Sequence, residues 1–271
     1  MLTLASAWYN FKSKFDYNIY RVWIKNILEN VKKFNLVIFT DENSKQLFID
    51  FVKNNPRIKV IIKPLKDFYC AKYAENFIKN HMINISLNKL VDWRVNALWC
   101  EKQNFVKEII NKKYFGEEED DVYGWMDLGY FRCNGNVLNY DLLKNWPNAK
   151  KVKERINRDK IYYCRVCNES ELQEYYDHLS IKNENDLPKV PLHPLQVSIA
   201  GGFFILEKSK IDWWCKTFYD RLELYFKNGY LVKDDQMIII DCIANNREKF
   251  ELINQEHPAM DKWFGFQTYI Y

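Results

Sequence analysis

Two rhythms of apolar and polar positions alternate along the first quarter of the chain. "LTLASAW" (2–8) is a short continuous run that reads as a buried strand. "FDYNIYRVWIKNILEN" (15–30) places Phe15, Ile19, Val22, Trp23, Ile27 and Val31 at helical spacing, with Asp16 near the start. "FNLVIFTDEN" (34–43) predicts a second strand that runs into Thr40 and Asp41. "SKQLFIDFVKNN" predicts a second helix ended by Pro56, and "RIKVIIKP" (57–64) a third strand. Strand–helix–strand–helix–strand is the pattern of a parallel half-sheet of the nucleotide-binding kind. Neither GxGxxG nor GxxxxGK[ST] occurs, which argues against a dinucleotide site and a P-loop.

Further on, "RVNALWCEKQNFVKEIINKKYF" (94–115) predicts one long amphipathic helix, with Arg94 and Lys102 near one face of it. "GEEEDD" (116–121) reads as a solvated loop. "DVYGWMD" then fits a buried strand that delivers Asp127 to its C-terminal end. "IYYCRV" (161–166) is strand-like, and "ESELQEYYDHL" is a helix. "LQVSIAGGFFILEK" (195–208) reads as two strands broken by Gly201-Gly202. "KIDWWCKTFYDRLELYFKNG" (210–229) is a helix stopped by Gly229, and "DDQMIIIDCIANN" (234–246) a helix opened by two acids. There is no internal repeat and no low-complexity linker, so one unit of 271 residues is expected.

Composition narrows the function classes. Nearly half the residues are apolar, enough for a sizeable core, and the net charge is only +4 with scattered lysines. A nucleic-acid protein would cluster its basic residues, so that class is set aside. Seven cysteines, and an N-terminal stretch "MLTLASAWYNF" with no basic n-region and too short an apolar run for a signal peptide, predict reduced thiols and a cytoplasmic protein. No run of about 18 apolar residues occurs, so no membrane span is expected. The lone CxxC, Cys164 to Cys167, is a weak zinc signal without a second pair.

Asp127 is the first candidate for chemistry. In an open α/β sheet, ligands bind beyond the carboxyl ends of the strands. A hard divalent cation needs only one or two carboxylates when diphosphate oxygens fill its shell. Gly129 would let the backbone approach such a ligand. The other reading is that Asp127 caps a turn. From these residues alone both stand.

Five pieces in order decide more than any one of them. They are Trp99-x-x-Lys102, "WMDLG" (125–129), "AGGFF" (200–204), "DDQ" (234–236) and the late His257. Together they resemble the HtrL/YibB-type family of glycosyltransferases, in the GT-A nucleotide-diphospho-sugar transferase superfamily. The usual paired acids of that superfamily, D-x-D, are here Asp127 followed by Gly129. The resemblance implies a GT-A-like α/β fold: a mostly parallel central sheet flanked by helices, with a smaller antiparallel ribbon near the site. Residues 1–132 would form the nucleotide-binding half and 133–271 the acceptor half and tail.

The resemblance also implies roles. Thr40 and Asp41 would border the nucleotide, and Arg94 and Lys102 the diphosphate or donor sugar. Asp127 would hold Mn²⁺ or Mg²⁺, with His257 as a second ligand. A lone His before Pro, such as His257, is more often a surface or packing residue. Gly201 and Gly202 would lie against donor sugar or acceptor. Asp235, or its neighbour Asp234, would be the general base, although Asp234 also suits a helix N-cap. The implied reaction is inverting sugar transfer to the hydroxyl of a glycan, lipid-linked sugar or protein. The alternatives are a degenerate nucleotide- or glycan-binding module, a sugar-nucleotide hydrolase and a nucleotidyltransferase. The aromatic tail, residues 255–271, is expected to close over a bound nucleotide.

Overall fold

The structure, a computed structural model, describes residues 1–116, 122–132, 143–255 and 260–271. Seven strands are present among them: β1 (Leu2–Ala7), β2 (Asn35–Thr40), β3 (Ile58–Ile62), β4 (Val122–Met126), β5 (Ile161–Arg165), β6 (Ile199–Glu207) and β7 (Phe250–Asn254). They form one sheet in the order β3-β2-β1-β4-β6-β5-β7. Four of the six pairings are parallel, and β6 runs antiparallel to both of its neighbours. The antiparallel element is thus set inside the main sheet, which draws strands from both halves of the chain.

Ten helices flank the sheet among the described residues. They are α1 (Tyr17–Leu28), α2 (Ile49–Asn54), α3 (Ala74–Ile83), α4 (Trp93–Cys100), α5 (Lys102–Lys112), α6 (Ala149–Arg155), α7 (Glu169–Ser180), α8 (Ile211–Lys227), α9 (Asp235–Asn245) and α10 (Phe266–Tyr269). Strand β2 shows why the strands read as unbroken apolar runs. Val37 and Phe39 pack into one core with Phe105, Trp125 and Trp214. Leu36 and Ile38 pack into the other with Ile24, Ile27 and Phe266. Both faces are covered, so neither register needs a polar residue.

Three expectations change. The helix expected over 94–115 is two helices, interrupted at Glu101. The Glu101 carboxylate is fully buried and accepts the backbone N–H groups of Tyr69 and Cys70, each at 2.8 Å. Helical spacing cannot show such a tether. Residues 195–208 hold one strand, β6, where two were expected. Its register against β5 slips, so that Tyr163 faces Phe204 while Cys164 faces Ala200, and Gly201-Gly202 lie within that bulge. Helix α1 begins at Tyr17, capped by Asp16, and buries Trp23, Ile24, Ile27 and Leu28. Phe15, Ile19 and Val22, placed on the core side by spacing, are exposed.

Candidate active site

Strand β4 lies between β1 and β6 and carries Asp127 just past its C-terminal end. The backbone N–H of Asp127 donates to Gly202 O at 2.8 Å, which ties the acid to the bulge of β6. The Trp125 indole N–H donates to Asp127 Oδ1 at 2.6 Å and fixes the carboxylate's orientation. The other oxygen, Oδ2, lies over Gly202, where a Cβ would stand 3.3 Å from it.

The interruption at Glu101 makes Lys102 the first residue of α5, and its side chain is only 3% exposed. Its ammonium donates to Gly201 O at 2.8 Å and lies 3.0 Å from Asp235 Oδ2 and 3.5 Å from Asp127 Oδ1. Burial alone would lower the Lys102 pKa, but Asp127 and Asp235 outweigh it and raise the group above its ordinary value. Lys102 is therefore a fixed positive charge between two acids.

Asp235 opens α9 and is buried. A Cβ on Gly201 would stand 3.0 and 3.2 Å from its two oxygens. The glycine pair thus makes room for two carboxylates, Asp235 at Gly201 and Asp127 at Gly202. Burial pushes the Asp235 carboxyl up to about 6, against the pull of Lys102 and with Asp234 and Asp127 adding to the rise. Asp234 holds the N-cap position, yet its side chain makes no capping bond. It pairs with Lys233 at 3.1 Å through Oδ2, while Oδ1 is buried without a hydrogen-bond partner among the described residues. A buried acceptor left open in this way marks a place for water or a ligand hydroxyl.

These groups line one cavity of about 430 Å³, with Lys14, Tyr20, Trp99, Arg132, Asp261 and Trp263 around them. A smaller space of about 100 Å³, walled by Trp8, Tyr9, Phe11 and Trp125, lies beside it. Lys14, Tyr20, Trp99, Asp127 and Arg132 belong to both. Among the described residues no carboxylate pairs with Lys14 or Arg132. Lys14 instead sits 4.9 Å over the Trp99 ring. Arg132 is half-buried among the rings of Phe15, Trp23 and Phe264, at 5.7, 5.0 and 5.2 Å, with its Nε bonded to Gly129 O. Cations held by aromatic faces rather than by carboxylates keep N–H donors for an anion, which for Arg132 are the terminal ones.

A hard divalent cation fits the donor set at Asp127. Trp125 and Lys102 both meet Asp127 at Oδ1, so among the described residues Oδ2 is left for a ligand; Asp261 lines the same cavity, and ligand oxygens would complete the shell. Among the described residues no cluster of three or more His, Cys, Asp or Glu stands ready to hold a metal by itself. The six described cysteines, including Cys164 and Cys167, are free and buried.

The structure brings Lys102, Asp127, Gly201, Gly202, Asp234 and Asp235 to a single cavity. It does not bring Thr40, Asp41 or Arg94 there. Thr40 donates its hydroxyl to Trp8 O, and Asp41 accepts the Ser44 N–H. Arg94 makes a two-toothed contact with Asp92, both bonds 2.8 Å, behind Phe11. His257 lies outside the described residues. Gly129 makes room for the indole of Trp23, 3.0 Å from where a Cβ would stand. Sequence reasoning missed Lys14, Arg132 and Asp261. Only the aromatic neighbours of the first two, in "FKSKFDY" and "GYFR", offered a signal.

No family model matches the chain, and no curated protein does. Among solved structures it is similar to the apo form of mouse xyloside xylosyltransferase 1, with 11% identity, a TM-score of 0.46, and 92% of this chain and 84% of that one covered. It is also similar to the galactosyltransferase LgtC in complex with donor and acceptor sugar analogues, with 9% identity, a TM-score of 0.47, and 97% and 83% covered. At such scores and identities the likeness bears no weight in assigning chemistry. Among the described residues no helix is long and apolar enough to cross a membrane.

Proposed function

We propose that the chain is a glycosyltransferase that moves a sugar, with inversion, from a nucleotide-diphospho-sugar to an acceptor hydroxyl. The observation that carries this reading is the two-part cavity. A small aromatic-walled space joins a larger acid-lined one, and the shared residues include Asp127 and two cations that pair with no carboxylate among the described residues. A nucleotide-sugar has the same order of parts: a flat base, an anionic diphosphate and a polar sugar. The motifs shared with the HtrL/YibB-type family support the same reading.

The roles follow from position. Trp8, Tyr9 and Phe11 offer stacking surface for the base. Lys14 and Arg132 meet the diphosphate, and Arg132 takes the place that Arg94 was expected to fill. Asp127, with Asp261, would hold Mn²⁺ or Mg²⁺, which supplies Lewis-acid stabilisation of the departing diphosphate when bound. Asp235 accepts the proton of the acceptor hydroxyl. A carboxylate raised to about 6 is a stronger base than an ordinary one and is still mostly ionised at neutral pH. Lys102 keeps that carboxylate aimed and ionised. Asp234 Oδ1 accepts a further hydroxyl of donor or acceptor.

A thermal-shift series with nucleoside diphosphates and nucleotide-sugars, with and without Mn²⁺, tests donor binding. A ligand at 100 times its dissociation constant stabilises the fold by about 2.7 kcal/mol. Stabilisation by a nucleotide-sugar, followed by transfer to an added acceptor, is the expected result. Stabilisation without turnover would leave a binding module, and donor cleavage without acceptor a hydrolase. No stabilisation by any nucleotide would end the reading.

A further inference from the structure

Asp127 ends β4 as the one acid of its loop, since Leu128 to Arg132 include no other. Two residues on, Gly129 leaves no space for a second carboxylate. A Cβ there would stand 3.0 and 3.5 Å from ring atoms of Trp23 and 3.8 Å from Arg132 Nε. The Asp127 side chain is 34% exposed. A carboxylate so placed turns readily about its last torsion, where aspartate has a broad range. A single acid gives a cation a fixed oxygen only where the protein sets that torsion.

The sequence supplies the means in Trp125-Met126-Asp127. Residues two apart in a strand face the same side, so the indole and the carboxylate project together. Phe105 of α5 stacks on the Trp125 ring, with centroids 5.8 Å apart and planes at 18°, and the Lys102 ammonium lies 5.7 Å from the ring centroid. The ring is buried, so its N–H is a fixed donor, 2.6 Å from Asp127 Oδ1. Lys102 approaches the same oxygen, at 3.5 Å. Both contacts hold Oδ1, and Oδ2 lies over Gly202 at the cavity.

We propose that Trp125 is a positioning residue for the divalent cation: its indole N–H claims Oδ1 and presents Oδ2 as the one oxygen through which Asp127 binds. This rests on the metal assignment within the glycosyltransferase reading. Trp125 acts here through Asp127 and not on the cation itself. Removing an outer hydrogen bond of this kind typically lowers metal affinity about 10- to 100-fold.

The test separates the N–H from the ring. Replacing Trp125 by its sulfur isostere, benzothienylalanine, removes the donor and keeps the shape, the stack on Phe105 and the wall of the aromatic space. Mn²⁺ binding is read from water-proton relaxation in the presence of a mixture of the four ribonucleoside diphosphates, against the same mixture without protein. The wild type is expected to bind Mn²⁺. The isostere should bind it about 10- to 100-fold more weakly with little change in melting temperature. Trp125→Phe, which lacks the donor too, should lose as much Mn²⁺ affinity and some melting temperature besides. Unchanged Mn²⁺ affinity in either variant overturns the proposal and leaves the metal assignment standing. So does a loss matched by an equal loss of nucleotide binding in EDTA, because the ring then acts only as a wall. No Mn²⁺ binding by the wild type removes the metal assignment and this proposal with it, while thermal shifts without Mn²⁺ still decide nucleotide binding.

Discussion

A lysine ammonium buried between two carboxylates is held by both, and removing it leaves the buried Asp235 without its cation and facing Asp127, which is a third exposed. Lys102→Met should therefore destabilise the fold by about 3–5 kcal/mol, read from urea unfolding. The double variant Lys102→Met, Asp235→Asn should recover much of that loss; no recovery would mean that the pair is not coupled. Asp235→Asn alone should bind donor as the wild type does and transfer about 10² to 10⁴ more slowly. Equal, small losses for Asp234→Asn and Asp235→Asn would assign both to helix capping. The raised Asp235 carboxyl also sets a pH profile. Its working form is the carboxylate, so transfer should rise with pH through about 6 and level off above. For stability the sign is opposite. The fold favours the protonated acid, so this contribution is present below about pH 4, the ordinary range, and is lost as pH rises through about 6.

At the scale of elements, the interrupted helix and the bulged strand do the positioning. Glu101 breaks the α4–α5 axis and ties it to the amides of Tyr69 and Cys70, which sets Lys102 at the start of α5. The bulge of β6 places its two glycines against Asp235 and Asp127. Gly201→Ala puts a Cβ 3.0 Å from Asp235 Oδ2, so the carboxylate must shift by a few tenths of an ångström. A misplacement of about 1 Å costs on the order of 10² in rate, so a clear fall in transfer with little loss of melting temperature is expected. Wild-type rates in this variant would show that the glycine is there for the strand alone. The elements of the first half-sheet were legible because each covered strand is a continuous apolar run. The break at Glu101 was not, because its cause is a pair of amides some thirty residues away in the chain, at Tyr69 and Cys70.

At the scale of the whole molecule, the tail closes the cavity on one side. Phe266 and Ile270 are fully buried, Gln267 Nε2 donates to Tyr130 O at 2.8 Å, and the Phe266 N–H donates to Tyr130 Oη at 3.2 Å. Trp263 and Phe264 line the cavity and are only partly buried. Of the described tail, residues 260–264 are therefore where closing over a bound nucleotide is expected. In hydrogen exchange, amides of 266–271 should be protected in the free protein. Those of 261–264 should gain protection on adding nucleotide-sugar and Mn²⁺. A gain spread evenly to residue 271 would mean that the whole tail orders on binding, and no gain at 261–264 that none of it does.

The sequence by itself determined the strand–helix alternation, the strand that ends in Asp127, and the helix that begins at Asp235. Each is a property of one element, and periodicity reports burial along one element. Only the tertiary structure decided which charges meet. Arg94 turns to Asp92, two residues before it, whereas Arg132 stays among aromatic rings and faces the cavity. The aromatic neighbours in "GYFR" hint at Arg132, but Arg94 also follows an aromatic, Trp93, so that hint does not decide between them. The face of α1 was decided the same way, since both of its sides carry apolar residues and the sheet took Trp23, Ile24 and Ile27. Charge pairing and the choice of a buried face depend on distances between elements far apart in the chain, and those distances exist only once the elements have packed.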